Sequence, residues 1–321
     1  MFLERRVIVV YALEPIHLGS ARGSAKVDLP VARDARTKDP ILTFSALRGM
    51  LREALIDDRE WAILLGDKPV TGTDNTRRGV LSPTDAWPLL FPVRTSRGGS
   101  AWITSARLLQ AFAEVLGVRM PLEDDASHAR IDVETVLAVT GGAAETPAAG
   151  RQGVVLVAGR RYPAASDEGV LCWLAGKLEG SIPVTRLARR TAVVPNDDFA
   201  SIVAEETERR DRVRINNEQG IVAEGALFSL ELVPRDTVFF GSILATSPGL
   251  WPRAIVAGDE EEPSRGDAPA SLATSSGARD DLATTASALE RTAVRLHAAT
   301  QLTIGGEITV GMGRCQARLI H

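Results

Sequence analysis

The chain has 321 residues, 45% of them hydrophobic, with a formal net charge of −4 and two cysteines, Cys172 and Cys315. That supports a sizeable core in one large domain or two small ones, and it excludes a disulfide framework or a cysteine zinc site. An acidic total argues against a protein that coats nucleic acid wholesale, yet residues 1–120 carry 17 Lys and Arg against 13 Asp and Glu, and the remainder 20 against 28. That imbalance is either ordinary fluctuation or a local basic surface, which acts within about 10 Å whatever the total charge.

Residues 5–13, rich in Val, Ile and Tyr, read as a buried strand. A loop marked by Pro15 and Gly19 follows, carrying His17 and, eleven residues on, Asp28 between Val27 and Leu29. The polar stretch 19–39 reads as a loop of the length that usually signals function or disorder. Ser45 is placed to cap a helix with Leu47, Met50, Leu51, Ala54 and Leu55 at helical spacing. Arg48 and Arg52, four apart, share one of its faces. Residues 66–79 are turn-rich. Residues 80–82 and 87–95 read as strands, 105–116 as a helix, 140–153 as a surface connection and 154–158 as a short strand. Residues 193–224 mix a short helical stretch with many charges. Residues 226–234 and 237–244 read as two strands joined by a turn at Pro234-Arg235-Asp236. Residues 257–284, acidic and then rich in Ala, Ser, Thr and Gly, read as a mobile insertion. An amphipathic helix over 286–300, with Leu289, Ala293 and Leu296 inward, and a final strand over 315–320 complete the chain. Hairpins recur without a regular βαβ repeat, so the expected class is α+β with an antiparallel sheet. Both cysteines sit among apolar residues and are expected to pack as small hydrophobes. No apolar run reaches 18 residues and no signal-like segment opens the chain, which predicts a soluble cytoplasmic protein.

Several groups have residue types suited to chemistry. Gly305, Gly306, Gly311 and Gly313, with Arg314, either cradle a phosphate through backbone N–H groups or form a tight turn into the last strand. They lack the Lys-Ser/Thr ending of a nucleotide-binding P-loop. Asp28 is either a solvated turn former or a held carboxylate able to bind Mg²⁺ or orient a hydroxyl for attack on a phosphodiester. His17 is either packed at a strand end or a proton shuttle beside a phosphate. Arg48 and Arg52 either meet phosphates or pair with Glu53, Asp57 or Asp58. Trp87, Phe91, Arg94, Arg97 and Trp102 mix aromatic and basic types as single-strand binding surfaces do, or serve the core. His128, His297 and His321 show no metal-ligand spacing, and no G-x-S-x-G nucleophile elbow is present.

The order of these groups says more than any one of them. The blocks are Ile16-His17-Leu18-Gly19-Ser20 with Val27-Asp28-Leu29-Pro30; Phe44 to Arg52, with its Ser-x-Leu-Arg-Gly run; Leu65-Gly66-Asp67; Thr84-Asp85-Ala86-Trp87-Pro88-Leu89-Leu90-Phe91-Pro92-Val93-Arg94-Thr95; and Ala101-Trp102-Ile103-Thr104. Later come Val193-Val194-Pro195-Asn196-Asp197-Asp198-Phe199, then Glu224-Gly225-Ala226-Leu227-Phe228, residues 237–243, and Ile304-Gly305-Gly306-Glu307-Ile308-Thr309-Val310-Gly311-Met312-Gly313. Spanning nearly the whole chain, they resemble the RAMP family of type III CRISPR effector complexes, in its Cmr4/Cas7-like backbone branch of type III-B (Cmr) complexes. The chain departs from that pattern at Thr43-Phe44, where the family has Pro-Gly, and at Gly19-Ser20-Ala21-Arg22, where a second glycine is usual.

The resemblance implies one RAMP domain over 1–321 with an RRM-like (ferredoxin-like) antiparallel sheet core, insertions, and a thumb hairpin within 187–225. It implies copies stacked as a filament on a crRNA beside other RAMP and large subunits, with target RNA as the further partner and no membrane. The implied activity is RNA-guided endoribonuclease cleavage of complementary target RNA at regular intervals, with Mg²⁺ or another divalent cation. Asp28 matches the catalytic carboxylate and metal ligand. His17 and Arg48 match positions near the RNA backbone, and Glu224 matches an acidic position. Gly19, Ser20, Arg52, Arg94, Gly305, Gly306, Gly311 and Gly313 complete the candidate RNA-binding or accessory set. Two other functions remain alternatives: a non-catalytic crRNA-binding scaffold, and a pre-crRNA processing endoribonuclease.

Overall fold

The structure is a computed structural model that describes residues 2–19, 27–55, 64–66, 79–94, 100–120, 136–138, 153–165, 168–182, 191–216, 221–246 and 285–321. Its centre is β1 (Phe2–Ala12), which pairs antiparallel with β13 (Arg314–Ile320) on one side and β11 (Val238–Thr246) on the other. β11 then pairs with β3 (Trp87–Arg94) and with the short β2 (Leu81–Pro83). With β12 (Leu302–Thr303), β4 (Ser100–Ser105), β5 (Val136–Ala138), β6 (Gly153–Val157), β7 (Arg160–Ala165) and β8 (Thr191–Val194), the described residues form one eleven-stranded sheet. Its order is β12-β13-β1-β11-β3-β4-β8-β5-β7-β6, with β2 on β11. The expected antiparallel sheet holds around β1. Farther out it is mixed, because β4 runs parallel to β8 and β5 to β7. Helical segments lie between β4 and β8 in the chain, the kind of crossover that parallel neighbours need.

Val238 to Ile243 are all buried, a six-residue run that needs cover on both faces of the sheet. Helix α2 (Ala106–Leu116) supplies some of it, with Phe112 edge-on to Phe240 at 5.3 Å between centroids. Helix α5 (Thr285–Ala298) crosses β1, β11 and β13 and meets α1 (Phe44–Ala54). Its Leu289 and Leu296 point inward as the spacing predicts. Helices α3 (Glu168–Leu178) and α4 (Asn196–Glu206) follow the outer strands. No helix among the described residues is long and apolar enough to cross a membrane.

Four local expectations are corrected. Thr43, not Ser45, caps α1: its extended backbone lets Oγ1 accept from the Ala46 N–H at 3.4 Å, and the Asp85 carboxylate takes the Phe44 N–H at 2.7 Å. Cys315 is buried against Met50, but Cys172 is exposed on α3. The stretch 193–224 carries more order than its charge suggests, holding the end of β8, all of α4, and β9 (Glu208–Asn216). The strands on either side of Pro234-Arg235-Asp236 do not pair with each other. β10 (Ile221–Leu232) turns back on β9 as a separate two-stranded ribbon, while β11 enters the main sheet. The turn itself is present, with Asp236 at φ 69. The expected insertion at 257–284 lies outside the described residues.

Candidate functional site

The site is built on one edge of β10. The other edge pairs with β9, and the open edge would invite pairing by another chain if it stayed bare. Two loops fill it instead. The Ser229 N–H donates to Asp28 Oδ2 at 2.8 Å, and the Ser229 carbonyl accepts from the Leu29 N–H at 3.0 Å. The Glu231 N–H donates to the Leu29 carbonyl at 2.9 Å, and the Glu231 carbonyl accepts from His17 Nδ1 at 2.8 Å. Val233 and Ile16 then exchange both backbone bonds at 2.9 Å. Asp28 and His17, far apart on separate segments of loop, are thereby anchored two residues apart on one strand, about 7 Å along it.

The two side chains have different environments. Asp28 is exposed, and the Ser229 N–H first and the Ser229 hydroxyl second hold its carboxyl below the usual carboxylate range. It therefore stays ionised at neutral pH. His17 is buried. Because the Glu231 carbonyl can only accept, the proton bonded to it sits on Nδ1, which leaves Nε2 as the other reactive atom. A Cβ at Gly19 would stand 3.1 Å from that Nε2, so the missing side chain keeps it approachable.

The glycine-rich segment forms the floor beneath His17. The Gly306 N–H donates to the His17 carbonyl and the Gly313 N–H to the Pro15 carbonyl, both at 2.9 Å. Gly305 has φ 88, and a Cβ there would meet the His17 carbonyl oxygen at 2.3 Å, so only glycine fits. Gly311, at φ 83, closes the 3-10 turn Ile308–Val310 and faces open space. Glu307 on this segment pairs with Arg212 of β9, and Met312 packs against Leu230 and Leu232 of β10. The ribbon and the glycine segment are thus tied together around the His17 loop.

Other candidates lie elsewhere. Arg48 and Arg52 donate to the carbonyls of Leu65 and Gly66, the second at 3.2 Å, and Asp57 and Asp58 lie outside the described residues. Burial first and the Arg48 charge second lower the Arg52 pKa. Arg94 grips Glu206 with Nε donating to Oε2 at 3.0 Å and Oε1 at 3.3 Å and Nη2 to Oε1 at 3.1 Å, beside a cleft of ≈ 480 Å³ at the foot of the ribbon. Phe91 and Trp102 serve the core. Ser20 and Arg97 lie outside the described residues, and at Glu224 only the β10 backbone is described.

Sequence reasoning missed the residues that assemble the site. Ser229 holds Asp28. The buried Glu231 accepts from the Val31 N–H at 3.2 Å and from Arg33 at 3.4 Å, fixing the loop after Asp28. The fully buried Asp39 pairs with Arg107 at 2.7 Å and anchors the far end of that loop on α2. The available signal was the alternation Phe228-Ser229-Leu230-Glu231-Leu232, which puts Ser229 and Glu231 on one face of a strand and both leucines on the other.

Residues 9–316 match the RAMP superfamily. The CRISPR system Cmr endoribonuclease Cmr4 of Pyrococcus furiosus is 29% identical over 260 residues, covering 75% of this chain and 81% of that relative. The crystal structure of oligomeric Cmr4 from Pyrococcus furiosus has a TM-score of 0.63 and 21% identity, covering 99% of this chain and 98% of the other. A chain in the cryo-EM structure of type III-B Cmr-beta bound to cognate target RNA has a TM-score of 0.60 and 16% identity, with coverage of 99% and 98%. These two structures share the fold.

Proposed function

The chain belongs to the RAMP superfamily, and from that premise we propose that it is a Cmr4-like backbone subunit of a cytoplasmic type III CRISPR effector complex. In that role it binds crRNA and cuts complementary target RNA at regular intervals, alongside further copies of itself and other RAMP and large subunits. The observation that carries the reading is Asp28, an exposed and ionised carboxylate fixed to the edge of β10, in a chain whose relative bears the name endoribonuclease.

Two features of the fold support it. The chain order β1-α1-β3-β11-α5-β13, with strands β13-β1-β11-β3 side by side, is the β-α-β-β-α-β arrangement of an RRM-like core. The β9–β10 ribbon stands as its own small sheet, so we assign the thumb to 208–232, overlapping the expected 187–225 but reaching past it. Such a ribbon displaces a base and kinks its neighbours, which aligns a 2′-OH with the adjacent phosphorus. Positioning of that kind supplies much of the barrier reduction in a bimolecular step turned intramolecular. Guide pairing reads the sequence, so the protein needs only backbone contacts and tolerates an acidic total.

Asp28 suits a divalent cation. Mg²⁺ commonly takes one or two carboxylates and completes its shell with substrate phosphates and water. Among the described residues no group of three His, Cys, Asp or Glu forms an all-protein cage. Asp28 would hold such a cation, which would supply stabilisation of the charge that develops as the phosphodiester is cut. The protein's own part is to fix that carboxylate through Ser229, to orient the His17 ring through its Nδ1 bond to the Glu231 carbonyl, and to leave Nε2 open where Gly19 lets an RNA backbone approach.

The test is cleavage of a complementary RNA by the guide-loaded complex, with Mg²⁺ and with chelator. We expect evenly spaced products in wild type, and loss of at least ~100-fold in rate for Asp28→Ala with assembly intact. Target binding without products in either protein would make the subunit a scaffold.

A further inference from the structure

We infer that Ser229 is the positioning residue for Asp28, so that the ribbon, and not the loop that bears it, sets where the carboxylate stands. The inference rests on the reading of Asp28 as the reactive carboxylate and deepens it. Packing does not hold the Asp28 side chain, because Asp28 is exposed and its neighbour Leu29 is 37% exposed. Hydrogen bonds to one residue do. The Ser229 N–H and hydroxyl both donate to Asp28 Oδ2, at 2.8 and 2.9 Å, and the same hydroxyl accepts from the Asp28 N–H at 3.2 Å.

The hydroxyl thus links the backbone of Asp28 to its own carboxylate and fixes the torsions between them. Without it, the Ser229 N–H alone restrains the carboxylate, and the two side-chain torsions regain part of their staggered freedom. Charge-assisted bonds of this kind are short and strongly directional. Removing the hydroxyl should act on geometry more than on docking, because the loop keeps its bonds to the β10 backbone, Ser229 N–H to Asp28 Oδ2 at 2.8 Å, Leu29 N–H to Ser229 carbonyl at 3.0 Å and Glu231 N–H to Leu29 carbonyl at 2.9 Å.

The experiment compares Ser229→Ala, Ser229→Thr and Asp28→Ala in the guide-loaded complex with complementary RNA and Mg²⁺. It follows single-turnover rate, target affinity, the Mg²⁺ concentration for half-maximal rate, and hydrogen exchange at the Leu29 and Glu231 amides. For Ser229→Ala we expect a rate lower by ~10- to 30-fold, a raised Mg²⁺ requirement, unchanged target affinity and both amides still protected. Ser229→Thr, which keeps the hydroxyl, should return the rate to within ~3-fold of wild type. If Asp28→Ala is inactive and Ser229→Ala cuts at the wild-type rate, the inference fails while the reading of Asp28 stands. If Ser229→Ala loses amide protection or target affinity along with its rate, Ser229 is a structural latch and the inference also fails. Normal cutting by Asp28→Ala would overturn both.

Discussion

The strands around β1 and the β9–β10 ribbon are held by different forces. β1 and β11 run side by side with Ile8, Val10, Phe239 and Ile243 all fully buried. On the ribbon, Val213 and Leu227 stand opposite each other and are 49% and 66% exposed. The ribbon's described apolar anchor is small: Leu230 and Leu232 against Met312, with Phe228 at its margin. Hydrogen bonds along its edge and the Arg212–Glu307 pair do the rest. The sheet is thus a frame stabilised by burial, which tolerates little change. The ribbon is an arm whose edge carries the site and whose attachment is polar and local. A region with few buried contacts opens at low cost, which suits an element that must accommodate a nucleic acid.

The largest expected effect tests the frame. Phe240 is 1% exposed and packs against Phe112 and Trp87. Phe240→Ala should cost ~3–5 kcal/mol through lost transfer energy and a cavity, seen as a large drop in midpoint temperature. A small drop would mean that the sheet is not the cooperative unit. Next comes the seam between frame and site. Gly305→Ala places a Cβ 2.3 Å from the His17 carbonyl oxygen at φ 88, and we expect a cost of ~2–3 kcal/mol from overpacking and left-handed backbone strain. The same change should break the Gly306–His17 bond and lower cleavage more than target binding. Stability without loss of cutting would show that the glycine segment is a passive turn.

How much of this was legible in the sequence follows the same division. Period and composition located β1, β3, α2, α5 and the last strand within a few residues, because burial dictates those patterns. The site was legible only as separate points. Asp28 and His17 could be singled out, but nothing local ties them together, because their common anchor lies some two hundred residues away on β10. The ribbon was also concealed. Its pairing of β10 back onto β9 runs against the expectation from the Pro234-Arg235-Asp236 turn, and β9 is so rich in arginine and acidic residues that it lacks the apolar alternation of a half-buried strand. Arg48 and Arg52 looked like a free basic face because the carbonyls they satisfy, at Leu65 and Gly66, are known only once the chain has folded back on α1.

The smallest effect sharpens the comparison most. Arg212 of β9 and Glu307 of the glycine segment pair with side chains 29% and 30% exposed, so the pair is partly screened. Arg212→Ala should cost only ~0.5–1 kcal/mol and leave the midpoint temperature nearly unchanged. The loss should be local: hydrogen exchange should quicken at β9 and β10 amides and stay unaltered at β1 and β11. Added salt should produce the same pattern in wild type and almost none in the variant. If β1 and β11 exchanged faster as well, the ribbon would open only with the sheet. The two regions would then be one cooperative body, and the site would draw its rigidity from the core instead of from the polar contacts along β10.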